Sequence, residues 1–224
     1  MSLVTRNVLI AFLITAVLAG TVAYAVNYLN NARVAEISTM ADQLSIDTIS
    51  LDTQFSLLSS APCDSIASST TFISNLSDLG NRLSYAEDQL GSDNPQVVRL
   101  KEQYSLLEIR DYILTKQLAS ACGIRPVTVL YFYSNAGDCS DCDKAGYALS
   151  YLRTTFPALR VYSFDYNLDL SALKTLIALD KVKGPLPAFI INGKRSYGFT
   201  SLADLEAQFP KGALATSTPS ARTK

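Results

Sequence analysis

Histidine is absent from all 224 residues. No imidazole is available, so His-based triads, His general acid–base catalysis and most transition-metal sites are excluded. Charge of either sign is scarce: Lys+Arg 19 against Asp+Glu 20, a formal net charge of −1. With no basic run interleaved with aromatics, nucleic-acid binding is set aside as a class. Chemistry must therefore come from Cys, carboxylates, Tyr, Lys or the backbone. Hydrophobic residues make up 48% of the chain, and its length suits one large or two small domains.

The densest apolar stretch is Val8–Val26, which contains no charge. As a helix it spans roughly 28 Å, close to the hydrocarbon thickness of a bilayer. Ala23-Tyr24-Ala25 offers a small-x-small cleavage site of the signal-peptide type behind a head containing Arg6. The run is long for a signal segment and continues into helical sequence without a Pro or Gly break. The expected organisation is a cytoplasmic head over 1–7 and a retained single-pass anchor over 8–29, with everything after it extracytoplasmic. A buried core helix is the bland alternative. Four cysteines, an even number, suit an oxidising exterior.

From 30 to 122 the periodicity is helical. Ile37, Leu44, Leu51 and Leu58 recur by sevens, with Met40 and Phe55 near the intermediate positions. Ile66, Ile73, Leu76, Leu83 and Leu90 mark a second helix, and Leu100, Leu107, Leu114 and Ala121 a third. Breaks fall at Ala61-Pro62 and at Gly91-Ser92-Asp93-Asn94-Pro95. The expectation is a coiled-coil-like antiparallel hairpin or bundle. Cys63, opening the second helix, and Cys122, closing the third, are nearly equidistant from the turn between them. Such residues meet at the open end of a hairpin, so a structural disulfide is expected there. It would close a loop of about 60 residues, worth roughly 4 kcal/mol in the chain-entropy model. Two free buried thiols are the rival reading. A four-Cys zinc site lacks the second close pair that zinc spacings show.

After a linker, Gly123-Ile124-Arg125-Pro126, comes the apolar run Val127–Tyr133, then Cys139-Ser140-Asp141-Cys142. The run reads as a buried strand. Ala145, Ala148, Leu149, Leu152 and Phe156 then follow at helical spacing up to Pro157. The pair thus sits on a strand-to-helix corner, where free N–H groups and the helix dipole favour a thiolate. A thiolate with a second thiol one turn away supports dithiol–disulfide exchange. A zinc half-site and an inert short-loop disulfide compete with that reading. Strand Arg160–Phe164, a helix from about Asp169 to Val182, strand Pro187–Ile191, an Asn192-Gly193 hairpin and a return strand Lys194–Phe199 complete the order. A last helix opens near Ser201 with Asp204 as capping-box partner. The unit over 123–210 is therefore read as βαβ-α-ββα, and 211–224 as a disordered tail.

These residues, in this order, resemble the thioredoxin superfamily over roughly 127–209. Leu186-Pro187-Ala188-Phe189-Ile190-Ile191-Asn192-Gly193 is similar to the cis-proline segment of bacterial Dsb-type disulfide oxidoreductases. The resemblance implies an α/β thioredoxin-like domain with Cys139 as exposed nucleophile and Cys142 as buried resolving thiol. It makes Leu186 and Pro187 the substrate-facing, substrate-binding loop, the preceding peptide being cis. The chain departs from the pattern in three places. Gly137-Asp138 stands where a Trp is usual, and the dipeptide between the cysteines is Ser140-Asp141. The strand also offers Tyr131 and Tyr133 but no buried acid. Asp138, Asp141 and Asp143 oppose a thiolate at Cys139, which is expected to lower the reduction potential.

The expected function is membrane-anchored, extracytoplasmic thiol–disulfide exchange, with the helical bundle as a stalk. No organic cofactor or metal is called for. The expected partners are cysteine-containing exported proteins or a membrane thiol–disulfide relay protein. A non-catalytic thioredoxin-fold adaptor or holdase with a permanent disulfide is the alternative, and a C-x-x-C metal relay a third.

Overall fold

From the apolar run to Ser59 the sequence has no Pro and a single Gly, Gly20, so nothing interrupts a helix. In the computed structural model, which describes residues 3–59, 63, 70–156 and 158–214, that stretch is one helix, α1, Leu3–Ser59. Its segment Arg6–Ala32 is long and apolar enough to cross a membrane. Helix α2 (Thr70–Leu90) and helix α3 (Pro95–Cys122) form an antiparallel hairpin. Asn94 caps α3 by accepting the Gln96 N–H at 2.9 Å, and Pro95 occupies the first turn, where its missing N–H costs nothing.

Phe55 of α1 lies beneath Arg110 of α3, with the guanidinium carbon 5.8 Å from the ring centre. Cys63, just beyond α1, is bonded to Cys122 at the end of α3. Both links advance toward the two C-termini, so α1 and α3 run parallel and α2 runs against them. Phe55, Leu76, Leu79, Leu83, Ala86, Val97, Leu100, Leu107 and Leu114 form the core they share. The heptad leucines of α3 thus face the hairpin.

The sheet comprises β1 (Val127–Tyr133), β2 (Leu159–Asp165), β3 (Ala188–Ile191) and β4 (Lys194–Tyr197), in the order β2-β1-β3-β4. Strands β1 and β2 are parallel, from Val127↔Leu159 to Tyr133↔Asp165. Strand β3 is antiparallel to β1 and to β4. The connecting helices are α4 (Cys142–Thr155), α5 (Ser171–Leu179) and α6 (Leu202–Glu206). Alternation along β1 sends Val129 and Tyr131 toward α4 and α6, and Leu130 and Phe132 toward α5. On the α5 side, Ile109 and Tyr112 of α3 complete the core. Helix α3 therefore belongs to two cores at once and carries the hairpin on the sheet.

Several boundaries differ from the expected ones. Helix α4 begins at Cys142 because the chain first turns, with Cys142 N–H bonded to the Cys139 carbonyl at 3.4 Å. Helix α5 is shorter than 169–182, ending at Leu179 before Lys181 enters the left-handed region at φ 51. Strand β4 stops at Tyr197 because Gly198 turns away at φ 77 and donates its N–H to the Pro187 carbonyl at 2.7 Å. The Asn192-Gly193 turn has both residues at positive φ, 47 and 84, as a two-residue hairpin of this type requires. Ser201 caps α6 through Asp204 N–H at 3.1 Å, and its hydroxyl donates to the Asp204 carboxylate at 2.7 Å. The break at Ala61-Pro62, Ile66, Pro157 and residues 215–224 of the tail expected over 211–224 lie outside the described residues, as do the side chains of Ile37, Met40, Leu44, Leu51, Leu58 and Ile73. The start of that tail, 211–214, is a turn, with Ala213 and Leu214 packed on the α4 face of the sheet.

Candidate functional site

Strand β1 ends at Tyr133, and the chain turns through Ser134–Asp138 to the cysteine pair. Ser134 holds this turn: its hydroxyl accepts from Ala136 N–H at 3.1 Å and from the Asn167 amide at 2.7 Å. Cys139 and Cys142 are bonded to each other in a disulfide. Cys142 is buried at 4% exposure, while Cys139 is partly exposed. An approaching thiolate therefore meets Cys139 first. The Tyr131 hydroxyl donates to the Cys142 carbonyl at 2.6 Å, tying the first turn of α4 to the sheet. Burial, and then the charge of Asp143, push the Tyr131 phenol up, so it stays protonated and remains a donor.

Of the three nearby aspartates, Asp141 is paired with Lys144 at 2.8 Å. Asp138 and Asp143 are exposed and enter no ion pair among the described residues. The net local charge remains negative.

Leu186-Pro187 is a cis peptide. Antiparallel register pairs Phe132 with Ala188, so Pro187 falls level with Tyr133, at the end of the sheet from which the cysteine loop departs. Leu186 packs on the α5 face. The structure thus brings Cys139, Cys142 and Pro187 to one end. It keeps Cys63 and Cys122 (S–S 2.04 Å, Cα–Cα 5.6 Å) apart from them, since Cys122 precedes the opposite end of β1.

The helical hairpin reaches the site as well. Glu87 of α2 accepts from the Asn135 amide of the cysteine loop at 3.3 Å and from Lys101 of α3 at 2.7 Å. Lys101 also bonds Asp165, at the end of β2, at 3.0 Å. Burial works against the Lys101 ammonium, but Glu87 and Asp165 outweigh it and hold its pKa above the ordinary value. Two residues back along β2, Ser163 donates its backbone N–H to the Glu108 carboxylate at 3.0 and 3.2 Å. Asp111 accepts from the Tyr162 hydroxyl at 2.7 Å, and Thr115 meets the same oxygen at 3.1 Å. A cavity of about 330 Å³ runs along α4 from Cys142 to Arg153, with Glu87 and Tyr104 on the hairpin wall and Tyr131 and Tyr133 beneath.

The heptad pattern of the sequence does not single out Glu87, Lys101, Glu108, Asp111 or Thr115. Lys101, Ser105, Glu108, Tyr112 and Thr115 recur at alternating four- and three-residue steps and are all buried. That stripe, one position on from the leucine heptad, was the available signal. Among the described residues, no group of three or more His, Cys, Asp or Glu is placed to hold a metal ion. Comparison with protein-family models, with curated proteins and with solved structures finds no match for this chain.

Proposed function

We propose that this chain is a membrane-anchored, extracytoplasmic thiol–disulfide exchange protein with a thioredoxin-like domain. The observation that carries the reading is the meeting of the Cys139–Cys142 pair with a cis Leu186-Pro187 peptide at one end of the sheet. The strand order β2-β1-β3-β4 and the βαβ-α-ββα succession are in keeping with it. The apolar Arg6–Ala32 helix supports the anchor, and a seven-residue head is more easily left inside than translocated. No organic cofactor is needed, because the two sulfurs carry both electrons.

The exchange runs as two displacements. A substrate thiolate attacks Cys139 Sγ, the intramolecular S–S bond breaks, and Cys142 leaves as a thiolate that takes up a proton. A second substrate thiolate then attacks the substrate sulfur of the mixed disulfide and releases Cys139. The substrate is oxidised to a disulfide, and the pair is reduced to two thiols. The reverse sequence reduces a substrate disulfide. In that direction Cys142 is the resolving thiol, so Cys142→Ser stalls at the mixed disulfide. The full chain carrying Cys142→Ser is expected to accumulate mixed disulfides through Cys139, and Cys139→Ser is not. Absence of any trapped species, together with a pair that resists dithiol reductant, would establish the adaptor reading instead.

A further inference from the structure

The parallel course of α1 and α3 decides which way the cysteine pair faces. Helix α3 runs against β2: its early residue Lys101 meets Asp165 at the end of that strand, and the later Asp111 meets Tyr162. The N-terminal end of α3 therefore lies beside the cysteine loop, as the Asn135–Glu87 bond at 3.3 Å also requires. Helix α1 runs parallel to α3, so its N-terminal, apolar half extends from this same end. The Cys63–Cys122 disulfide marks the far end.

Phe55 is level with Arg110. From there, Ala32, the last residue of the apolar span, lies about 34 Å back along α1, and Lys101 about 14 Å back along α3. Roughly 20 Å then separates the end of the span from the level at which the cysteine loop begins. A soluble domain of 100 residues has a radius of gyration of about 13 Å, hence a diameter of about 30 Å. It does not fit squarely between the pair and the bilayer. A loop or an extended segment does. The cysteine loop begins about 20 Å from the end of the span, more than two Debye lengths at physiological salt, so lipid headgroups are out of its reach and lipid itself is not the counterpart.

We infer that the Cys139–Cys142 pair faces the membrane and exchanges with cysteines on the extracytoplasmic loops of an integral membrane protein, within about 20 Å of the bilayer. This inference rests on the exchange and anchoring readings above. Confinement in one membrane raises the effective concentration of such a loop, while a folded soluble substrate must approach from the side.

The test uses the full chain in lipid vesicles. A fluorophore is introduced as a non-natural residue at Asp138 or at Arg125, which lies at the opposite end of β1, and energy transfer to acceptor-labelled lipid is read. Asp138 is expected to give the higher transfer. Equal transfer, or more from Arg125, overturns the orientation whatever the chemistry. The second arm measures exchange with a transmembrane peptide carrying a dithiol close to the bilayer and with the same dithiol on a soluble peptide. Inserting a four-turn helical segment of about 14 residues after Ala32 is expected to slow exchange with the membrane peptide about tenfold and to leave the soluble peptide unchanged. Unchanged exchange with both overturns the partner assignment. No exchange with either, before insertion, counts against the exchange reading and leaves the orientation to the fluorescence arm.

Discussion

Glu108 of α3 accepts the backbone N–H of Ser163 on β2, the outer strand of the sheet, at 3.0 and 3.2 Å. An edge N–H left bare invites pairing with another chain. Here a helix side chain closes it, and the same contact seats the hairpin against the sheet. The seam joins the hairpin to the sheet, and the Asn135–Glu87 bond adds a direct link from the hairpin to the cysteine loop.

The seam should be sensitive to pH. Burial, ahead of all other causes, holds the Glu108 carboxyl well above its ordinary value of 4.5; the Ser163 N–H, Tyr104 and Arg153 oppose it, and Asp111 adds to it. Below the ordinary value both folded and unfolded chains carry the proton. As pH rises past it, the unfolded chain ionises while folded Glu108 does not, so stability falls until the raised folded value is reached. Glu108→Gln removes that term. Urea midpoints of the parent should therefore drop, relative to those of the variant, as pH rises above the ordinary value of 4.5. Parallel profiles would show that Glu108 is ionised in the fold.

Lys101 should matter more than its place on a helix suggests. It is buried between Glu87 and Asp165, with N–O distances of 2.7 and 3.0 Å. Lys101→Met leaves two carboxylates facing each other without the cation. Breaking a buried pair in this way costs about 3 kcal/mol or more. The loss should be visible as a lower denaturant midpoint with an unchanged slope. A cost below about 1 kcal/mol would place this cluster among solvent-screened surface pairs.

The sheet and the cysteine corner were legible because their signals are local. A continuous apolar strand, an Asn-Gly turn and a Ser cap each depend on a few neighbouring residues. Docking of the hairpin was not legible. Leu100, Leu107 and Leu114 mark one buried face of α3, and polar Lys101, Glu108 and Asp111 beside them read as a solvated flank. They are buried because β2 presents an unpaired N–H and Arg160, Tyr162 and Asp165 as partners. A helix wedged between two cores keeps only a narrow exposed stripe, Arg99, Leu106, Arg110 and Ile113, and the two apolar residues on it blur the pattern. A carboxylate beside it is intelligible only once its donor is known. The orientation of the cysteine pair toward the anchor was hidden for the same reason, since it follows from the docking.

The two disulfides should behave independently. Cys63–Cys122 closes a loop with a sequence separation of 59. In the chain-entropy model a closure of that length contributes about 4 kcal/mol. Replacing both cysteines with Ser should lower stability by about that much in chemical denaturation. Exchange through Cys139 should be retained at temperatures where the variant is folded, because the staple lies at the opposite end of the sheet. Loss of exchange in a folded variant would mean that the far disulfide feeds the near one.

The aspartates around the pair should set its direction. Asp141 is already compensated by Lys144 at 2.8 Å, so the charges that oppose a Cys139 thiolate are those of Asp138 and Asp143. Replacing both with Asn removes like charge from the nucleophile and stabilises its thiolate. A more stable thiolate favours the reduced pair, which raises the reduction potential. Both side chains are exposed and screened, so the thiolate pKa should fall by only a few tenths of a unit in physiological salt, and by more at low ionic strength. Thiolate absorbance against pH reads the first quantity, and equilibration with a glutathione buffer the second. A potential that stays fixed while the pKa moves would show that the disulfide state, rather than the thiolate, carries the effect of these charges.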